Sequence, residues 1–367
     1  MSVEQLDGTA AATSRHTSVE FAESCYDLLL QLAGRLPDDL LCQARRWLAD
    51  GRVSDMVRAV SLAVAAHRLP IFAEELGFLI AGLELCDEDT ASLADVTPAY
   101  VDPGSPFAFL ALPPAVADRL DSAGGYVPDC LDHTTGDGGD DGMLDAVDNR
   151  AARTAAGKAG VLGLWRSWRI AAVESPWPPP KRVYLVEVGS RGIRRAVTDE
   201  IARTLALAGE SDPLVEVWAA GDDVPEYQAM ARYCGALLWA AAPRRRIRVA
   251  PVFEDAVESH RRRQLTDDIE RNSVLDYLDA GPVLLTTDLL GDDMVEPRGA
   301  RVPMDVRTDG TWIWTDATAY YLRHYLIAPH PDLLAHIRVA CGRPARPDTV
   351  ALFRAMATLS RPDSTLH

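Results

Sequence analysis

One passage, Val186–Val197 (VEVGSRGIRRAV), joins an apolar run to a helical pattern through Gly189 and Gly192. In a strand–glycine–helix turn of this kind, backbone N–H groups can hold an anion, and Arg191, Arg194 and Arg195 would add positive charge. The pattern is only G-x-x-G: the third glycine of a dinucleotide fingerprint is absent, and so is a G-K-[ST] phosphate loop. The acid that should meet a ribose about twenty positions on is also missing, since Glu216 comes later and lies inside the next strand. Asp222 and Asp223 follow that strand, where α/β proteins often keep working carboxylates. They precede V-P-E-Y-Q, so helix N-terminal acids explain them equally well. Gly189, Arg191, Gly192, Asp222 and Asp223 form the candidate ligand set. The competing reading is a tight βα turn that binds nothing.

A second passage, Arg307–Tyr325 (RTDGTWIWTDATAYYLRHY), is crowded with rings. Trp312 and Trp314 are two apart and share one face of a strand, while Tyr320, Tyr321, His324 and Tyr325 share one side of a helix. The two aromatic faces are expected to fold onto each other. They make either a core corner with polar tips or a stacking pocket for a base, sugar or peptide ring. The core reading is preferred, with Trp312, Trp314, Tyr320 and Tyr321 in packing and His324 and Tyr325 reaching solvent.

Elsewhere the signals are weaker. His324, His330 and His336 lie six apart, a spacing that puts them on different sides of a helix, and there is no H-E-x-x-H or G-x-S-x-G. The patch Asp137–Asp148 (DGGDDGMLDAVD) departs twice from a calcium loop, with Gly139 at a ligand position and Asp148 where a glutamate belongs. The sequence therefore implies no catalytic residue, no metal ligand and no cofactor. The basic clusters Arg244–Arg246 and His260–Arg263 have Glu254, Asp255, Glu258, Asp267, Asp268 and Glu270 as neighbours, so nucleic acid is not the expected partner.

The elements around these residues fall into two textures. Up to Leu85 the periodicity predicts four amphipathic helices with short joints. From Arg182, β-branched runs alternate with helical ones (RVYLVEV, IRRAVTDEIARTLALAG, PLVEVWAAG), which predicts an α/β layer whose first strands are parallel. IRVAPVF and PVLLTTDLL add strands, and Asp309-Gly310 predicts a type I′ hairpin before the final helices. Between the two textures, residues 87–149 hold fourteen acids and one base, Arg119, out of a net charge of −17. Repulsion at that density predicts an extended, flexible tether.

The fold class expected is α+β or α/β, multi-domain. A disordered polar leader spans 1–17, a helical module 18–86, an acidic Gly/Asp-rich linker or excursion 87–160, and a mixed α/β domain 161–367, with a sub-boundary near 256–281. The six cysteines are scattered and include no Cys-x-x-Cys, which suits reduced thiols in a cytoplasm. No apolar run reaches the roughly eighteen residues of a membrane span. Only Lys158 and Lys181 are lysines among 37 basic residues, a bias of high-GC coding that drains arginine-richness of meaning.

The last sixty or so residues resemble uncharacterised actinobacterial proteins that share D-G-T-W-x-W followed by a Y-Y-L helix. No activity comes with the resemblance, which extends loosely to modules encoded near toxin–immunity and secretion loci. The function expected is a non-catalytic cytoplasmic interaction factor, of immunity or regulatory type, for a basic protein partner. The alternative is a small-molecule or nucleotide-binding α/β enzyme with its site at the strand C-terminal ends. A weaker one is nucleic-acid binding through the arginine clusters.

Overall fold

The computed structural model describes residues 19–101, 104–135, 144–172, 178–252, 264–296 and 299–360. The expected leader, residues 137–143 of the calcium-loop-like patch and the His260–Arg263 cluster lie outside them. The protein belongs to the α+β class, with many helices and mixed sheets. No helix among the described residues is long and apolar enough to cross a membrane. The chain divides into two compact units, 1–127 with 136–241, and 128–135 with 242–367. This division differs from the domain layout expected above. The N-terminal helices share a unit with the first sheet, and the main boundary falls between Ala241 and Ala242.

Unit 1 begins with α1 (residues 19–31), α2 (Asp38–Ala49), α3 (Val53–His67) and α4 (Ala73–Leu85). Each follows from local grammar. In α2, Asp38 and Asp39 occupy the first turn and Arg46 the last, matching the helix dipole, while Leu41, Ala44 and Leu48 form the buried stripe. Next come β1 (Phe107–Leu110) and α5 (Pro114–Ser122); the two-residue strand β2 (Leu131–Asp132) belongs to unit 2. Unit 1 resumes with α6 (Ala146–Ala156), β3 (Val161–Ala171), β4 (Lys181–Val188), α7 (Arg194–Leu207), β5 (Leu214–Ala219), α8 (Glu226–Tyr233) and β6 (Ala236–Ala240).

Strand β3 is the spine of this sheet. Strand β4 runs antiparallel along it from Val161↔Val188 to Arg169↔Lys181. Its other edge is shared, with β6 against Gly163–Arg166 and β1 against Trp168–Ala171. Strand β5 is parallel to β4, as expected, with α7 as the crossover between them. Every residue of β5 is buried, as are the last six of β4, the signature of strands covered on both faces.

The acidic tether is corrected too. Within 87–160 the chain forms β1, α5 and α6. Asp145 caps α6 by accepting from the Val147 and Asp148 N–H groups. Buried Asp148 accepts from the Tyr184 hydroxyl at 2.8 Å and faces Arg166 at 3.4 Å. These acids do not simply repel, because β3 and β4 bring arginines to them.

Unit 2 contains β7 (Arg248–Val249), α9 (Asp268–Ala280), β8 (Val283–Leu285), β9 (Leu290–Asp292), β10 (Ala300–Pro303), β11 (Val306–Thr308), β12 (Trp312–Thr315), α10 (Asp316–Tyr325), α11 (Pro331–Ala340) and α12 (Thr349–Leu359). One sheet has the order β7-β12-β11-β8, and β9 with β10 forms a separate ribbon. The expected strand PVLLTTDLL is thus two short strands in different sheets, and among the described residues of IRVAPVF only the two of β7 are strand. The hairpin is where it was expected, with Val306↔Thr315 and Thr308↔Ile313 in register. Its turn is not type I′, which needs positive φ at both central residues. Gly310 alone has it, at +83°, while the Asp309 carboxylate accepts from the Thr311 and Trp312 N–H groups, both at 2.7 Å.

Candidate functional site

The glycine turn of unit 1 is already filled by the chain's own carboxylates. Gly189 N–H donates to the Gly160 carbonyl, and Gly192 N–H to the Ser190 hydroxyl. Arg191 donates to Asp222 at 2.8 Å and to Asp27 of α1 at 3.4 Å. Arg194, almost wholly buried, donates to Asp27 at 2.6 Å and to Glu23 at 2.8 Å. Burial opposes the charge on Arg194, but the hydrogen bonds it donates to Glu23 and Asp27 offset this and leave the guanidinium more basic than usual. The structure brings Arg191 and Asp222 together, while Gly189 and Gly192 are bonded to Gly160 and Ser190. Asp223 does not join them and stands exposed. The turn is a seam between α1, α7 and the loop after β5.

The aromatic stretch splits between two clusters, which corrects the expectation that its faces fold onto each other. Trp312 and Trp314 pack with Tyr277, Leu278, Ala319 and Leu322. Trp314 is fully buried and donates its indole N–H to the Leu278 carbonyl at 3.2 Å. Tyr321 packs instead with Val302 and Ile327, with Tyr320 and Tyr325 against them. At that end sits buried Asp293, which accepts from Tyr325 at 2.5 Å, from Tyr320 at 2.9 Å and from the Val295 and Glu296 N–H groups. His324 is exposed, its ring 4.5 Å from that of Tyr320. Packing of the tryptophans and Tyr321 follows the sequence reading; Tyr325 is half-buried and tied to Asp293.

Sequence reasoning missed one convergence of chemical groups. His336 lies 2.6 Å from the Asp309 carboxylate, and Tyr277 donates to the same oxygen at 2.7 Å. Burial, reinforced by that carboxylate, pushes the Tyr277 hydroxyl above its ordinary range. An imidazole, a phenol and a carboxylate could move a proton. Here all three meet on one oxygen, and Asp309 also holds the turn, so the arrangement staples α9 and α11 to the hairpin. The signal was available only as three residues from three elements. Among the described residues no group of His, Cys, Asp or Glu is arranged to hold a metal ion.

A cavity of about 610 Å³ forms a groove in unit 1. Its floor is built by a charge lock. Arg35 forms a bidentate pair with buried Glu75, donates to the Pro70 and Gln31 carbonyls and lies 5.4 Å from the Phe72 ring. Glu75 in turn accepts from the Phe72 N–H and so fixes the start of α4. The walls are Phe72, Tyr100, Pro106, Pro225 and Tyr227, with Glu74 and Glu226 at the rim. Tyr100 is 91% exposed. Glu74 and Glu226 are exposed and form no ion pair among the described residues, so the groove carries net negative charge. No family model matches the chain, and neither a curated protein nor a solved structure is significantly similar to it.

Proposed function

We propose that the chain is a non-catalytic interaction protein for a basic partner, and that the groove of unit 1 receives the partner's side chains. One observation carries this reading: Arg35 is spent on Glu75, which leaves Glu74 and Glu226 uncompensated beside Phe72, Tyr100 and two prolines. Open aromatic faces next to free carboxylates suit arginine or lysine, which can stack on a ring while pairing with an acid. The net charge of −17 acts in the same direction by steering a basic protein toward the surface. A cytoplasmic location and a regulatory or immunity role fit this chemistry and belong to the same proposal. The enzyme alternative has less support at this turn, because Arg191 pairs with Asp222, Arg194 with Asp27 and Glu23, and Arg195 with Glu23.

The test is titration of the full chain with a fluorescent peptide alternating arginine and tyrosine. Binding should be saturable, fall steeply with added salt, and weaken about tenfold or more in Glu74→Gln/Glu226→Gln. Binding of equal strength in that variant would remove the groove from the proposal.

A further inference from the structure

Unit 2 carries a strip of arginines that its own acids leave unpaired. Arg245, Arg246 and Arg346 are exposed, and their side chains form no hydrogen bond or ion pair among the described residues. The acids that neighbour the Arg244–Arg246 cluster in sequence are engaged elsewhere. Asp267 caps α9 by accepting from the Glu270 N–H, Asp268 pairs with Arg271 at 2.6 Å, and Glu270 pairs with Arg338 at 2.7 Å. Glu254, Asp255 and Glu258 lie outside the described residues.

The unpaired arginines line two cavities that adjoin at Ile247. One, of about 190 Å³, has Arg245 and Arg346 in its wall, with the Gly310–Thr311 turn and the start of α12. The other, an open trough of about 450 Å³, has Arg246 and Arg248 beside Trp312, His330 and Asp332. The backbone between them is held to the hairpin by the Arg248 N–H, which donates to the Thr311 carbonyl at 2.9 Å. Ile247 and Val249 pack against the Val306, Ile313 and Ala355 cluster, which leaves Arg246 and Arg248 to the trough.

Three carboxylates line the same cavities, and each is engaged by another group. Buried Asp309 serves the turn, Tyr277 and His336. Asp348 caps α12 by accepting from the Ala351 N–H, and Asp332 faces Arg248 at 3.5 Å. Arg354, also in the smaller cavity, is buried, donates to the Ala242 and Pro243 carbonyls and faces Asp132 at 3.5 Å. None of these carboxylates forms an ion pair with Arg245, Arg246 or Arg346.

We infer that this furrow takes an extended acidic segment of a partner protein, whose carboxylates pair with Arg245, Arg246 and Arg346. A planar guanidinium meets a carboxylate through two parallel hydrogen bonds, so arginines strung along a furrow select carboxylates strung along a chain. The smaller cavity is below the roughly 300 Å³ of a site that encloses a whole small ligand, and it suits a side chain. Nucleic acid fits less well. Single strands are held by stacking on open rings, whereas Trp312 of the trough is 4% exposed with Arg248 over it. The inference concerns a different unit from the groove and a ligand of opposite charge.

The test uses the full chain at about 0.1 M salt, where charges more than roughly 10 Å away are screened. A short fluorescent peptide alternating glutamate with serine is titrated and read by anisotropy, with the glutamine-for-glutamate peptide as its control. The acidic peptide should bind saturably, and the neutral one about tenfold or more weakly. Arg245→Gln/Arg246→Gln/Arg346→Gln, at exposed positions, should keep the wild-type melting temperature and weaken binding about tenfold or more. Arg68→Gln/Arg150→Gln/Arg153→Gln removes the same charge from exposed positions of unit 1 and should bind as wild type does. Equal binding of both peptides, or full binding by the furrow variant, overturns the inference. Equal loss in both variants does so too, because the attraction is then one of net charge. So does tighter binding of a single-stranded oligonucleotide that the furrow variant loses, because the occupant is then nucleic acid. The arginine–tyrosine peptide of the groove should bind the furrow variant unchanged, so failure here and failure of the groove reading appear in different variants.

Discussion

Arg191 and Asp222, thirty-one residues apart, meet with the arginine Nε donating to the carboxylate at 2.8 Å. That contact turns a phosphate-like cradle into an internal seam. A panel of nucleotides should therefore leave the melting temperature of the full chain unmoved. Arg191 is more than half exposed, so Asp222→Asn should cost no more than about 1 kcal/mol by urea denaturation. Arg194→Met, which removes a buried guanidinium shared by Glu23 and Asp27, should cost about 2 kcal/mol or more. A nucleotide that raises the melting temperature by several degrees would restore the ligand reading.

Deeper in unit 1, Arg45 of α2 donates to Glu216 of β5 at 2.5 Å, and Gln228 of α8 donates to the same carboxylate at 2.9 Å. All three are buried. Removing one charge strands the other in low dielectric, so Arg45→Met or Glu216→Leu should each cost about 3–5 kcal/mol. Arg45→Met/Glu216→Leu together should cost clearly less than the sum of the two. Additive losses in the double-mutant cycle would mean the pair is not coupled.

Much of the architecture was legible, and the failures have particular causes. Helices α2 to α4 and the parallel β4–β5 pair follow from periodicity, since Leu41, Ala44 and Leu48 or Val183 to Val188 state their own burial. Strand β3 was hidden by Arg166 and Arg169, which look like solvent residues until Asp148 and Asp38 arrive from other elements. The acidic tether failed for the same reason, because its counter-charges are remote in sequence. The Gly189 turn was located correctly, but nothing local shows that α1 supplies Asp27 to fill it. The groove draws on α1, α4, the loop before β1 and the start of α8, and no one of these segments advertises it.

Gly281, just after α9, faces the edge of Trp314: a Cβ there would lie 2.3 Å from the indole Cζ2. The ring is fully buried and fixed by its bond to the Leu278 carbonyl, so it has little room to yield. Gly281→Ala should cost about 1–3 kcal/mol and shift the tryptophan fluorescence of the folded protein. An unshifted spectrum at wild-type stability would show that the corner repacks freely.

Burial of Asp293 pushes its carboxyl upward, but the Tyr325 and Tyr320 hydroxyls and the Val295 and Glu296 N–H groups outweigh it and hold the group below its ordinary 3.8. A depressed carboxylate contributes stability that is complete above the unfolded value and is lost as pH falls through the folded one. Asp293→Asn should thus be less stable than wild type at pH 6, and the gap should narrow below about pH 4. Melting curves across that range check the sign. A gap that widens on acidification would mean the carboxyl is protonated in the native protein.

The role proposed for unit 1 is to hold a basic protein with the acidic residues of its groove. Its most direct test is affinity capture at low salt from cells that naturally produce the chain, with wild type and Glu74→Gln/Glu226→Gln/Tyr100→Ala side by side. A basic protein should be recovered in stoichiometric amount by the wild type, be released by salt, and be lost with the variant. Recovery of no stoichiometric partner, or equal recovery by both chains, would contradict it.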